Sequence, residues 1–142
     1  MNTSTMRSMI VTAALAVAAG SASAQTYKAE IPMSFRVGQK VMTPGSYELR
    51  LSTDSAIEIV YVRGPESTVM LTASSKSDAP KKWLQDGSPK LSFECVGGAC
   101  SLHRLWNGRD DFTYDFALPK ATTPEIEARR TSVVTLTMIK AH

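Results

Sequence analysis

The chain predicts an all-β protein: a single antiparallel β-sandwich or partly open barrel of about seven to nine short strands, with a short helix near the C-terminus. Three observations carry this expectation. Apolar and polar residues alternate with period two through much of residues 25–142. Turn signals built on Gly, Pro and Asn recur at short intervals between those runs. The aromatic side chains, the raw material of a core, are spread from Tyr27 to Phe116 rather than gathered in one half.

Residues 1–24 read as a leader that precedes this domain. Arg7 is a short basic lead, 9–19 is an almost unbroken apolar run, and Ala22-Ser23-Ala24 is a small-x-small cleavage site ahead of Gln25. The apolar run is well short of the roughly 20 residues that cross a bilayer, and no Cys lies near the cleavage site, so neither a membrane span nor a lipid anchor is expected. The expectation is a periplasmic or secreted protein after cleavage between Ala24 and Gln25, with residues 25–142 forming one β-rich domain.

The strands follow in order. Residues 31–42 read as two short strands bent at Gly38. Tyr47, Leu49 and Leu51 alternate with Glu48 and Arg50, and Ile57, Ile59 and Tyr61 alternate with Glu58, so each set is expected to line a buried face. Further strands are expected at 67–73, Lys90–Val96, Ala99–Trp106 and 112–116, where Phe112, Tyr114 and Phe116 share a face. The β-branched run at 131–139 is expected to close the sheet. Turns fall at Thr43-Pro44-Gly45, Gly64-Pro65, Gly97-Gly98 and Asn107-Gly108, the spacing of a meander or Greek key. The helix is expected at 123–130, with Thr123 as cap, Pro124 in the first turn and Glu125 and Glu127 at the positive end of the dipole.

Residues 74–89 stand apart as a polar, strandless loop with Trp83-Leu84 at its centre. Two readings are open: Lys81, Lys82 and Trp83 form an exposed contact for a glycan or protein partner, or Trp83 and Leu84 fold back over one end of the sheet. Arg104 and Trp106, with Arg109 near the Asn107-Gly108 turn, form a second possible contact patch, although Trp106 is equally suited to a core. A two-residue turn there sets Arg104 opposite Asp111.

The stretch IPMSFRVGQKVMTPGSY at 31–47 resembles the opening of a family of small secreted bacterial proteins to which no activity is assigned. LTASSKSD, Lys90-Leu91-Ser92-Phe93, the Gly-rich turn and Leu105-Trp106 extend the likeness over most of the domain. The chain departs from that pattern with Met33 in place of an aromatic residue and Thr43-Pro44-Gly45 in place of Pro-Ala-Gly. The resemblance implies export and a β-rich fold, and it carries no catalytic residue across.

The chemistry the residues do offer is structural. In CVGGAC a two-residue turn at Gly97-Gly98 sets Cys95 opposite Cys100, and an exported protein would oxidise such a pair to a cross-strand disulfide. A redox pair would favour Cys-x-x-Cys at a helix start, and a zinc site needs more ligands than His103 can add. Cys100, Leu102 and Arg104 share one face of the strand, so His103 points to the other. Ser residues, His103 and Asp110, Asp111 or Asp115 contain the types of a hydrolytic triad, but no nucleophile motif frames them. Lys and Arg number 16 against 13 Asp and Glu, and the two signs are interspersed, which argues against a nucleic-acid partner.

The expectation is therefore an exported, non-enzymatic module without catalytic, metal or cofactor residues, binding an envelope protein or glycan. The alternatives are a subunit of an extracellular assembly, pairing through residues 25–31 or the strand from Thr131, and a small periplasmic hydrolase built on His103.

Overall fold

The computed structural model describes residues 24–52, 57–119 and 131–141, and its elements form two facing sheets. The expected leader, except for Ala24, and the expected helix at 123–130 lie outside the described residues. The front sheet has the order β12-β1-β4-β5-β6, with β1 Ala24–Ile31, β4 Gly45–Ser52, β5 Ile59–Arg63, β6 Thr68–Thr72 and β12 Ile139–Ala141. The back sheet has the order β11-β8-β9-β10-β7, with β7 Ser75–Asp78, β8 Lys90–Val96, β9 Ala99–Trp106, β10 Phe112–Asp115 and β11 Thr131–Thr137. A hairpin of β2 Phe35–Val37 and β3 Lys40–Met42 joins the back sheet through a parallel pairing of β2 with β9. This is a sandwich-like all-β fold, and the sheets do not close into a barrel.

The core is what period two requires: the inward residues of both sheets meet. Tyr27, Leu49, Leu51, Val60 and Val62 line the front sheet, and Leu91, Phe93, Leu102, Leu105 and Tyr114 line the back. Phe35 sits edge-on between Tyr47 and Phe93, with ring centroids 5.0 and 5.5 Å away. Phe112, Tyr114 and Phe116 turn toward this core as expected, Phe112 packing on its margin.

Several expectations need correction. In β5 the buried residues are Val60 and Val62, while Tyr61 points outward opposite Arg50. Both faces of Ile-Val-Tyr-Val are apolar, so alternation alone does not choose between them; pairing Val60 with Leu51 and Val62 with Leu49 does. In β9 a bulge interrupts the alternation: Phe93 pairs with Leu102 and Ser92 with Arg104, which leaves His103 unopposed. Beyond it, Leu105 faces the core and Arg104 and Trp106 the outside, so Arg104 does not share a face with Cys100 and Leu102.

Residues 74–89 are not a strandless loop. They contain β7, which pairs with β10 from Phe112↔Asp78 to Asp115↔Ser75, and a helix, α1 Lys81–Asp86. Gly87, at φ 75°, ends α1 and donates its N–H to the Trp83 carbonyl. The run from Thr131 serves both sheets: β11 pairs with β8, the chain crosses at buried Met138, and β12 pairs with β1. Consequently β1 is paired with β4 along its length and with β12 at Thr26, Tyr27 and Lys28, and those three residues of the stretch 25–31 are not a free edge for a neighbour.

Candidate binding face

The outer surface of the front sheet is built by the same alternation that builds its core. With Tyr27, Leu49 and Val62 directed inward, Lys28, Glu48 and Arg63 form one row across β1, β4 and β5, and Thr26, Arg50, Tyr61 and Met70 form the next. A groove of about 430 Å³ runs past Lys28, Glu30, Ser46, Glu48 and Arg63. A second, of about 340 Å³, runs past Arg50 and Tyr61 and shares Glu48 and Arg63 with the first. The two are shallow grooves that flank the Lys28–Glu48–Arg63 row on either side.

Their charges are left available. The ion pairs among the described residues are Lys76–Glu58, Lys90–Asp86, His103–Glu94 and Arg104–Asp115. None of them engages Lys28, Arg50 or Arg63, although Glu48 stands opposite both Lys28 and Arg63 in the register. Glu30 accepts a hydrogen bond from the Ser46 hydroxyl. Tyr61 is half-buried opposite Arg50 and lines the second groove.

The residues singled out in the sequence lie elsewhere, around the outer face of the back sheet. Trp83, on α1, lies over Trp106 with ring centroids 6.3 Å apart at 32°, and Trp106 is 1% exposed. Trp83 therefore covers the sheet, while Lys81, Lys82 and Leu84 remain exposed on α1. Trp106 donates from Nε1 to the Asp110 carbonyl at 2.7 Å. Asn107 accepts at Oδ1 from the N–H groups of Arg109 and Asp110, which lengthens the turn beyond two residues. As a result Arg104 faces Asp115, with Nε 3.7 Å from Oδ1, and not Asp111. Asp115 also accepts from Thr113 at 2.6 Å, and Thr113 bonds Ser77, so this end of the sheet holds a buried polar chain.

Cys95 and Cys100 are directly opposed and joined, with Cα atoms 3.9 Å apart. Gly97 and Gly98, at φ 59° and 87°, supply the two left-handed residues of the tight turn. His103 Nδ1 lies 3.2 Å from the Phe116 carbonyl and Nε2 3.9 Å from Glu94, and no Ser hydroxyl among the described residues bonds its ring. No group of three or more His, Cys, Asp or Glu that could hold a metal occurs among the described residues.

Burial raises the Tyr114 hydroxyl, with Asp110 adding to the shift. Near the sandwich rim Lys76 holds Glu58 below its ordinary value through a hydrogen bond, and Glu58 raises Lys76 in return. Lys76 also lies 5.0 Å from the Phe112 ring centroid and 5.6 Å from that of Tyr114, a contact of cation and π type.

Sequence reasoning missed Lys28, Arg50, Tyr61 and Arg63. Their signal was the charged half of each alternation, Glu48 and Arg50 between Tyr47, Leu49 and Leu51; what it lacked was the pairing that sets three strands side by side. No protein-family model, curated protein or solved structure matches this chain.

Proposed function

We propose that this is an exported, non-enzymatic binding module whose working surface is the grooved outer face of the front sheet. The observation that carries the reading is the pair of grooves lined by Lys28, Arg50 and Arg63, cations set around Glu48 that form no ion pair among the described residues. Solvated charges of this kind contribute little to folding, whereas a ligand of complementary charge gains from them. Export is supported by the leader-like residues 1–24 and by the Cys95–Cys100 bridge. Against a hydrolase on His103 stands its environment, a backbone carbonyl on one ring nitrogen and a carboxylate beyond hydrogen-bond distance on the other.

Co-sedimentation with isolated cell envelopes tests this. The wild-type protein is expected in the pellet and an Arg50→Glu/Arg63→Glu variant in the supernatant. A wild type that stays in the supernatant, or a variant that pellets equally well, would contradict it.

A second reading, a subunit of an extracellular assembly, is favoured by one observation. Among the described residues β11 is the end strand of its sheet; Thr131–Thr137 carry no charge and no Pro, and Val133 is 65% exposed. Natural edges are ordinarily guarded against self-pairing, as β7 is by Lys76 and Asp78. Light scattering during size exclusion decides this reading: a dimer or larger species supports it, and a monomer at high concentration argues against it.

A further inference from the structure

We infer that the ligand of the front face is a carboxylated glycan, a polysaccharide strand carrying both uronate carboxylates and free hydroxyls. The inference rests on the reading of that face as the binding surface. The face asks for two chemistries at once. Arg50 and Arg63 lie diagonal to each other across the β4–β5 pair, separated by roughly 7–8 Å, and Lys28 lies two strands from Arg63, roughly 10 Å away. Guanidinium groups pair most favourably with planar carboxylates, which they engage through two parallel N–H···O bonds.

Glu48 sits among these cations and lines both grooves. A carboxylate there repels an uninterrupted row of anions but accepts hydrogen bonds from hydroxyls, so the ligand must alternate acid and hydroxyl along its length. Tyr61 adds an aromatic ring, a group on which the apolar C–H surface of a sugar packs. Grooves open to solvent, not closed into a pocket, suit a strand that enters and leaves. A peptide of Asp and Glu alone is the weaker fit, because ionised carboxylates bring no donors to Glu48. Its backbone would seek a sheet edge, whereas this surface is a sheet face whose central strands β4 and β5 each have a neighbour on both sides.

Retention by immobilised polymers in affinity electrophoresis tests this with three probes: polygalacturonate, its methyl-esterified form, and polyglutamate. The expected result is strong retention by polygalacturonate alone, weakened by added salt. Arg50→Gln and Arg63→Gln should each weaken it at least tenfold, Tyr61→Ala severalfold, and Lys81→Gln/Lys82→Gln not at all. Equal retention by the esterified polymer overturns the carboxylate requirement, and stronger retention by polyglutamate overturns the glycan in favour of an acidic peptide. In both cases a loss in the arginine variants keeps the face as the binding surface. Retention unchanged in the arginine variants overturns the face itself. No retention by any of the three polymers overturns the ligand class and leaves the envelope co-sedimentation to judge the face.

Discussion

Gly64 and Tyr47 illustrate how single residues hold the front sheet to its loops. The Tyr47 ring is buried against Phe35, its hydroxyl donates to the Thr43 carbonyl, and it lies flush on the Gly64 backbone. A Cβ on Gly64 would stand 2.4 Å from Tyr47 Cε1, and a ring fixed at both ends cannot swing away. Gly64→Ala should therefore destabilise the fold by about 1–3 kcal/mol, as overpacking does, read from the urea midpoint. Tyr27, like Tyr114, responds to alkaline pH. Its hydroxyl donates to Gln25 Oε1 and reaches the Asn107 carbonyl at 3.4 Å, and burial pushes it up from 10.0 to about 12 despite the opposing pull of Arg109. The unfolded chain loses this proton first, so the stabilising contribution is complete below pH 10 and is lost as pH rises toward 12. Alkaline unfolding should show a slope from this group approaching 1.4 kcal/mol per pH unit, absent from Tyr27→Phe. Equal slopes in the two proteins would contradict the assignment.

At the scale of elements, the hairpin of β8 and β9 is legible in the amino-acid sequence, because CVGGAC places a known turn at a known distance from two thiols. Replacing both cysteines by Ser should cost about 2 kcal/mol, the loop-closure value for so short a ring, while circular dichroism retains the β signature. Loss of the fold would mean that the bridge does more than staple a hairpin. The bulge at His103 is not legible there: it depends on Leu91 and Phe93 both finding core partners, Leu105 and Leu102, across unequal lengths of strand. The inward face of β5 is hidden for a related reason, since Ile59 and Tyr61 are as apolar as Val60 and Val62 and only the pairing with β4 separates them. In α1 the polar composition conceals a helix whose one structural task is to lay Trp83 on Trp106. Trp83→Ala should uncover Trp106, shifting its fluorescence to longer wavelength and lowering stability by about 1–3 kcal/mol. Unchanged emission would mean that α1 does not cover that ring.

At the scale of the whole molecule, the two sheets divide the work. The back sheet carries the disulfide, the buried Ser77–Thr113–Asp115 chain and the helix that covers its outer face, features that fix structure. The front sheet carries its charges in the open, along two grooves its own side chains leave unfilled. The edge formed by β11 and β12 belongs to both sheets, so self-association there would extend the sandwich without covering the outer face of β4 and β5. Binding at the face and assembly at the edge are thus separable by mutation. The central claim, that the front face is where this protein meets its ligand, is tested most directly by amide chemical-shift mapping during titration with an oligogalacturonate. The account predicts perturbations concentrated in β1, β4 and β5, at Lys28, Glu48, Arg50, Tyr61 and Arg63. A spectrum unchanged by the oligosaccharide would overturn the ligand class and not the face, whereas perturbations centred on α1 and Trp83 would contradict the claim itself.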